Sequence, residues 1–274
     1  MDRKLYYFSG AGNDFVVIDG REGDASEYRD VEHIQVLCKE YGTDGLMILG
    51  QDDAEVDFTM EFFNPDGSGG MMCGNGGRCI VAFADYLGIR PATVERTAEG
   101  ITAAPGVFLF RAPDGLHTGE ILERPENGLW TVRIKMIDVQ GITPMLGGFF
   151  LNTGTRHFVK FVDDVEQVDI DTEGKALRWD PAFAPIGTNV NFVHVAPDGL
   201  HVRTFEKGVE GETLACGTGL TASAIAAYAA SVVPDTHVRL RARQDWLSVN
   251  FTPGADEKFT DVYLTGPARL VEIL

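Results

Sequence analysis

The sequence is poor in positive charge. Lys and Arg together number 23 against 41 Asp and Glu, so the formal net charge is −18. A surface this acidic repels phosphate backbones and anionic membranes, and no cluster of Lys or Arg forms a compensating basic patch. Nucleic acid and membranes are therefore not expected as partners.

Long apolar runs and cysteine motifs of metal or redox proteins are also missing. No stretch approaches the roughly 20 apolar residues of a membrane span, and the N-terminal residues contain no signal-peptide core. The four cysteines, Cys38, Cys73, Cys79 and Cys216, include no Cys-x-x-Cys pair and no zinc-ligand spacing with histidine. The glycine-rich stretches match neither Gly-x-x-x-x-Gly-Lys-Ser/Thr nor Gly-x-Gly-x-x-Gly, which argues against a phosphate-binding module. We expect a cytoplasmic protein with reduced thiols and no metal.

The chain does contain an internal repeat. Two glycine-rich stretches, residues 64–78 and 206–219, each carry Cys-Gly-x-Gly directly before a helical pattern, and each follows a probable strand. An upstream pair of segments that begin at Gly12 and Gly154 also resemble each other. From Gly12 to Cys73 is 61 positions and from Gly154 to Cys216 is 62, so the landmarks recur at nearly equal separation. We interpret this as a duplicated domain.

The predicted fold is α+β, with two pseudo-symmetric α/β halves that each wrap a mixed sheet around a central helix. One helix follows Cys73, with apolar residues at helical spacing as far as Leu87, and the other follows Cys216 to about Ser231. Short β-rich runs make up most of the remainder. The N-terminal half is predicted to span residues 1–115, completed by a C-terminal strand at 262–274, and the C-terminal half residues 116–261.

The positions of Cys73 and Cys216 suit them to acid–base chemistry. The first turn of a helix has backbone N–H groups without intrahelical acceptors and carries partial positive charge, which favours a thiolate. The same N–H groups can bind a carboxylate, and the two Cys-Gly-x-Gly motifs supply such a helix start twice. Two such sites on opposite faces of an amino acid would allow one thiolate to remove the α-proton while the other thiol delivers a proton. Cys38 and Cys79 lie on apolar helix faces and are predicted to be core residues.

Several motifs in this order resemble the diaminopimelate epimerase family. They are Gly10-Ala11-Gly12-Asn13-Asp14-Phe15, Phe63-Asn64-Pro65-Asp66-Gly67-Ser68, Cys73-Gly74-Asn75-Gly76-Gly77-Arg78, Gly187-Thr188-Asn189-Val190-Asn191-Phe192 and Gly211-Glu212-Thr213-Leu214-Ala215-Cys216-Gly217-Thr218-Gly219. The likeness extends over essentially the whole chain. It implies a two-cysteine enzyme that needs no pyridoxal or other cofactor and interconverts LL- and meso-diaminopimelate, on the bacterial route to lysine and peptidoglycan. It also implies a homodimer whose domains close over the substrate.

The resemblance assigns roles by position. Cys73 and Cys216 match the two acid/base cysteines, and His157 and Glu206 match residues thought to assist the thiols. A further set matches groups that bind the amino acid substrate, and its members are Asn13, Asn64, Gly74, Asn75, Thr155, Asn189, Glu206, Lys207, Gly217 and Thr218.

Two departures from the family pattern concern the substrate. Lys207 replaces the usual arginine of Glu-Arg-Gly, and lysine offers a carboxylate only a point charge where arginine offers a fork. Thr155 and Arg156 replace the usual Asn-Pro before His157. The alternative is therefore a related cofactor-independent racemase or isomerase that acts on a different amino acid, and a requirement for a distal carboxylate would discriminate between the two.

Overall fold

The computed structural model describes residues 3–51, 55–124 and 127–274. The chain divides into two compact units: unit 1 comprises Met1–Ile134 and Gly266–Leu274, and unit 2 comprises Lys135–Thr265. The boundary expected between residues 115 and 116 differs from this division. Pro113-Asp114-Gly115, beside the expected boundary, forms the tight turn of a hairpin that joins residues 108–112 to residues 115–123 inside unit 1.

Unit 1 contains two long helices and most of a closed sheet. The helices are α1 (Val31–Tyr41) and α2 (Gly74–Tyr86). The strands are β1 (Leu5–Gly10), β2 (Asn13–Asp19), β3 (Gly45–Gly50), β4 (Phe58–Phe63), β5 (Arg96–Ala98), β6 (Ile101–Ala103), β7 (Phe108–Ala112), β8 (Gly115–Glu123) and β9 (Leu129–Lys135). Strand β18 (Phe259–Ile273) begins in unit 2 and ends in unit 1.

The sheet of unit 1 closes on itself. Its strand order is β1-β2-β3-β4-β7-β8-β9-β18, and β18 pairs back to β1, whereas β5 and β6 form a separate hairpin. The β2–β3 and β4–β7 pairs are parallel and the others antiparallel, so the sheet is mixed as predicted. Helix α2 contacts strands β1, β2, β3 and β8 and is buried from Gly74 to Asp85. It is therefore the central helix of this unit.

Unit 2 repeats this plan. Its strands are β10 (Ile142–Met145), β11 (Gly148–Asn152), β12 (Arg156–Phe161), β13 (Asn189–Ala196), β14 (Gly199–Glu206), β15 (Gly211–Thr213), β16 (His237–Arg241) and β17 (Trp246–Pro253). Its α-helices are the single turn α3 (Lys175–Arg178) and the 13-residue α4 (Gly217–Ala229). The sheet order is β18-β17-β16-β14-β13-β12-β11-β10, with β15 added beside β14. Helix α4 is rich in alanine and packs against β11, β12, β13, β14, β16 and β17.

The strand register of the two units shows the duplication residue by residue. In unit 1 Phe15 pairs with Gly45 on parallel strands, and in unit 2 His157 pairs with Asn189 in the same way. The next strand pair matches as well, because Leu46 opposes Phe63 and Val190 opposes Phe205. The predicted α+β fold of two similar halves around central helices is confirmed.

Helix α1 is the clearest example of a helix whose limits follow from its sequence. The Asp30 side chain accepts a hydrogen bond from the His33 N–H at 3.0 Å and so caps the first turn. Gly42 ends the helix with φ of 64°, a left-handed conformation that glycine adopts without strain. The buried side, Ile34, Leu37 and Cys38, packs on strands β2 and β3. Across the described ranges, no helix is long and apolar enough to cross a membrane.

Candidate active site

Cys73 is the N-cap residue of α2. Its Sγ accepts a hydrogen bond from the Gly76 N–H at 3.2 Å, and the side chain is exposed. The preceding residue is held by the β7–β8 turn, since the Met72 N–H donates to Asp114 Oδ1 at 3.1 Å. A sulfur that accepts a helix N–H at an exposed first turn is placed where negative charge on the sulfur is favoured.

The first turn of α2 and strand β2 are joined by side-chain amides. The Asn75 side chain donates to Asn13 Oδ1, and Asn13 Nδ2 donates to Asp44 Oδ2 at 3.3 Å. Arg78, which is fully buried, donates to Asn75 Oδ1 at 2.9 Å and to the Gly74 carbonyl at 3.1 Å. Asn13 and Asn75 are therefore brought together beside Gly74, as expected of residues in one binding site.

Asn64 lies in the turn that follows β4. Its Nδ2 donates to Ser68 Oγ at 3.0 Å, while its backbone carbonyl accepts from the Gly67 N–H at 2.9 Å. The glycine in this turn has φ of 83°, which favours glycine at that position. These contacts fix the loop that leads from β4 to Cys73.

Cys216 is the N-cap residue of α4, yet its surroundings differ from those of Cys73. It is 9% exposed, its Sγ lies 3.4 Å from Thr218 Oγ1, and it is hydrogen-bonded to the Glu206 carboxyl group. Burial, followed by the nearby Glu206 charge, raises the pKa of the Cys216 thiol, while the Thr218 hydroxyl and the Gly219 N–H act in the opposite direction. The lowered thiol pKa expected from the helix N-terminus is therefore not found here, because desolvation outweighs the helix end.

Glu206 ends strand β14 and is placed to exchange a proton with Cys216. Burial raises the pKa of the Glu206 carboxyl group, and hydrogen bonds from the Thr213 hydroxyl (2.5 Å to Oε1) and from Cys216 act in the opposite direction. Two acidic groups with raised pKa values in contact can hold one shared proton. Of the residues expected to assist the thiols, the structure thus places Glu206 beside Cys216.

His157 lies deeper than its expected role suggested. It is completely buried, and desolvation lowers its pKa to about 3, so the ring is neutral. Its Nε2 lies 2.9 Å from both Thr155 Oγ1 and Thr218 Oγ1. Within unit 2 it therefore reaches Cys216 through the Thr218 hydroxyl, which itself lies 3.4 Å from Sγ.

The Asn189 side chain is hydrogen-bonded to the backbone of Lys207. Asn189 is buried, and its Oδ1 accepts the Lys207 N–H at 2.8 Å, while its Nδ2 donates to the Arg156 carbonyl at 2.9 Å. The Asn189 amide therefore holds the loop after β14, and the Lys207 side chain is exposed. The Arg156 guanidinium lies over the Phe150 ring, 5.1 Å from its centroid, and donates to the Phe183 carbonyl at 3.4 Å.

Sequence reasoning did not single out three residues that support this site. Asn191 contacts the His157 ring, Thr213 contacts Glu206, and buried Arg178 donates to Glu210 Oε1 at 3.1 Å beside the Lys207 loop. Alternation along β13 places Asn191 on the same face as Asn189, a signal that was available from the sequence. In the three described ranges, no group of three or more His, Cys, Asp or Glu side chains is arranged to hold a metal ion.

Comparison with known proteins gives a consistent result. The family model for diaminopimelate epimerase matches residues 6–103 and 149–271. Diaminopimelate epimerases from Flavobacterium psychrophilum and Chlorobaculum tepidum are 37% and 38% identical to the chain. The alignments cover 98% of this chain and 98% of the first relative, and 96% and 97% for the second. The enzyme of the same name from Aquifex aeolicus is 39% identical, over 96% of this chain and 94% of its own.

Solved structures with much lower identity share the fold. A phenazine biosynthesis protein of the PhzF family from Bacillus anthracis superposes with a TM-score of 0.72 at 13% identity, covering 100% and 99% of the two chains. A predicted epimerase from Pseudomonas aeruginosa gives 0.66 at 15% identity, covering 100% and 98%. A probable proline racemase from Agrobacterium radiobacter gives 0.64 at 14% identity, covering 100% and 92%.

Proposed function

The chain belongs to the diaminopimelate epimerase family, and from that premise we propose that Cys73 and Cys216 invert one α-carbon of 2,6-diaminopimelate. The reaction interconverts the LL and meso isomers, which makes the protein an isomerase. In this proposal it serves lysine and peptidoglycan biosynthesis, works in the cytoplasm as a homodimer, and uses no pyridoxal phosphate.

One observation carries the proposal. At equivalent positions of the two units, a cysteine is the N-cap residue of a buried 13-residue helix whose first turn begins with Gly-Asn or Gly-Thr. The N–H groups of Gly74-Asn75 and Gly217-Thr218 are the donors we assign to the substrate α-carboxylate. Held there, the carboxylate can accept the charge that develops when the adjacent C–H bond breaks.

The proton steps follow from the state of each thiol. Burial and the Glu206 charge raise the pKa of the Cys216 thiol, so Cys216 is the thiol that carries a proton in the free protein. Glu206 is the nearby group that can accept this proton. In one direction Cys73, as the thiolate, takes up the α-proton while Cys216 donates its own proton to the opposite face. For the other direction Cys216 first passes its proton to Glu206 and Cys73 takes a proton from solvent, so that Cys216 is the base and Cys73 the acid.

The test is α-hydrogen exchange in D₂O, followed by proton NMR with purified reduced protein, LL-diaminopimelate and no added cofactor. We expect the α-proton signal to disappear while the meso isomer forms. A folded, fully reduced protein that leaves the α-proton signal intact would contradict the proposal.

A second candidate, a racemase for another amino acid, is favoured only by Lys207 and Thr155. Lys207 is exposed and offers one ammonium group where the family pattern has arginine. The same NMR assay with lysine, which lacks the distal carboxylate, separates the two candidates. Turnover of diaminopimelate without turnover of lysine supports the first proposal, and comparable turnover of both supports the second.

A further inference from the structure

The side chain of Asn191 on strand β13 is fully buried and has contacts on both of its polar atoms. Its Nδ2 lies 3.0 Å from His157 Nδ1 and 3.2 Å from the Phe158 carbonyl oxygen, and its Oδ1 lies 3.0 Å from Thr204 Oγ1. All four residues belong to unit 2.

These neighbours decide which way the amide points. The Phe158 carbonyl oxygen can only accept a hydrogen bond, so the NH₂ group of Asn191 must face it. The same NH₂ group then faces His157 Nδ1, which must be the acceptor. Because the ring is neutral, its single proton is on Nε2.

The other side of the ring contacts two hydroxyl groups. His157 Nε2–H donates toward Thr155 Oγ1 and Thr218 Oγ1, both at 2.9 Å. Thr155 Oγ1 also accepts from Asn189 Nδ2 at 3.3 Å and lies 3.1 Å from Thr218 Oγ1. With its lone pairs occupied by Asn189 and His157, Thr155 donates its own hydrogen to Thr218.

Thr218 is therefore surrounded by donors, and its own hydroxyl hydrogen has one remaining acceptor, the Cys216 sulfur at 3.4 Å. We propose that Asn191 is a positioning residue that locks His157 in the Nε2–H tautomer, so that Thr218 donates to the Cys216 thiolate. In this arrangement His157 is a hydrogen-bond donor and not a base. The inference rests on the proposed function, in which Cys216 must become a thiolate.

The hydrogen bonds from His157 to Thr218 and from Thr218 to Cys216 favour the Cys216 thiolate, whereas the Glu206 charge disfavours it. Two titratable groups in unit 2 act on Cys216: Glu206 on β14 directly, and His157 on β12 through Thr218. Burial keeps the His157 ring neutral, and a protonated imidazole would place an N–H against the NH₂ group of Asn191.

The mutation-free test is ¹⁵N NMR of the histidine rings in the whole protein between pH 6 and 8. We expect the His157 signals to show a protonated Nε2 and an unprotonated Nδ1 throughout. Protonation of Nδ1, or of both nitrogens, would overturn the proposal. The result does not depend on turnover, so it stays separate from failure of the proposed function.

The variant that tests this role is Asn191→Leu, which removes the side-chain amide and so allows His157 to adopt either neutral tautomer. The readout is the rate at which iodoacetamide alkylates Cys216, measured by peptide mass spectrometry as a function of pH. Loss of one donor to a thiolate should move the midpoint upward by about one pH unit. An Asn191→Leu protein with lowered Tm but an unchanged midpoint would show a merely structural role and contradict the proposal.

Two more variants make the test specific. In a Thr218→Val background the Asn191→Leu change should no longer move the midpoint, because the hydroxyl that transmits its effect is gone. Ser223→Ala removes another buried hydroxyl, bonded at 2.7 Å to the Gly219 carbonyl, and should leave the midpoint unchanged.

If Asn191→Leu does not fold, Thr204→Val frees the amide from one side and should move the midpoint in the same direction by less. An unchanged midpoint in a folded Thr204→Val protein, together with an additive Thr218→Val effect, would also count against the proposal.

Discussion

The two cysteines occupy equivalent positions on equivalent helices, but their surroundings are chemically opposite. Cys73 is exposed and its sulfur accepts the Gly76 N–H of its own helix. Cys216 is buried, bonded to the Glu206 carboxyl group, and approached by the Thr218 hydroxyl. One backbone plan thus supports an open thiol in unit 1 and an enclosed thiol with an acidic partner in unit 2.

The difference comes from a few side chains and not from the fold. Paired positions in the sheets share their register, so residues can be compared directly. Residues of unit 1 and their counterparts in unit 2 are Phe15 and His157, Gly45 and Asn189, Asn64 and Glu206. In each pair unit 2 carries the more polar or more charged group. Duplication provided the geometry, and substitution at these positions made the halves unequal.

Removing each thiol in turn tests whether the two cysteines are both needed. Cys73→Ala and Cys216→Ala should each lower epimerisation by about 10³-fold or more, because inversion needs a proton donor and an acceptor on opposite faces. NMR of the LL and meso isomers measures this, with Cys38→Ala as control at a buried cysteine outside the site. Near-normal epimerisation by either single variant would contradict a two-base mechanism.

Making the unit 2 thiol resemble the unit 1 thiol is the next test. Glu206→Gln replaces the carboxylate by an amide, as at Asn64, and should lower kcat by about 10²-fold because the proton acceptor of Cys216 is lost. Since the Glu206 charge raises the pKa of Cys216, the variant thiolate should form at lower pH. Glu173→Gln, at a carboxylate paired with Lys160 on the surface, is the matched control. A wild-type kcat for Glu206→Gln would rule out this role.

The difference in exposure should be visible in alkylation. At pH 8 iodoacetamide should modify Cys73 about tenfold or more faster than Cys216, since reaction needs both access and a thiolate. Peptide mass spectrometry at short times gives both rates in one sample. Equal rates would mean that the two thiols are not distinguished as described.

The contrast between His157 and Phe15 predicts an acid sensitivity specific to unit 2. The folded pKa of His157 is lowered to about 3 from the ordinary 6.5, so between these values the unfolded chain binds a proton that the native state does not. The free energy of unfolding should therefore fall as pH drops below about 6.5, by up to about 1.4 kcal/mol per pH unit from this group. Urea unfolding at pH 5 and pH 7 should show a smaller pH dependence for His157→Gln than for wild type. The control His237→Gln, at an exposed histidine, should retain the wild-type dependence.

The last prediction concerns Lys207, the cationic residue that follows strand β14 of unit 2. Lys207→Arg restores the fork that the family pattern has and should lower KM for diaminopimelate by about three- to tenfold, with kcat little changed. Steady-state kinetics measures both constants. An unchanged KM would show that position 207 does not hold the distal carboxylate, and Lys207→Gln should raise KM if it does.

Much of the fold was readable from the sequence because its signals are local and repeated. Gly12 and Gly154 mark equivalent strand starts, and the cysteines mark equivalent helix starts, so two spacings were enough to reveal the duplication. The limits of α1 also follow from local signals, since Asp30 caps its first turn and Gly42 ends it. The boundary expected at residues 115 and 116 coincides with a hairpin turn inside unit 1, because Pro, Asp and Gly are typical of hairpin turns and of linkers alike.

The electrostatics of the site could not be predicted in the same way. A helix start indicates a lowered thiol pKa, but the burial of Cys216 and its contact with Glu206 depend on residues distant in the chain. The tautomer of His157 likewise depends on Asn191 and on the Phe158 carbonyl, which only the folded sheet brings together. Sequence patterns give positions, whereas pKa values follow from the packing around them.

Strand β18 has a consequence for how the protein is made. Its last residues close the sheet of unit 1 by pairing with β1, although β1 begins at Leu5 and these residues are translated after every other strand of both units. Unit 2 has all of its strands once Thr265 has emerged, so we expect it to fold first although its strands are made later. Limited proteolysis of stalled nascent chains that end near residue 265 should find unit 2 protected and unit 1 still open to cleavage. The Cys73 thiol of unit 1 would then be the last part of the site to be assembled, once the residues of β18 that pair with β1 have emerged.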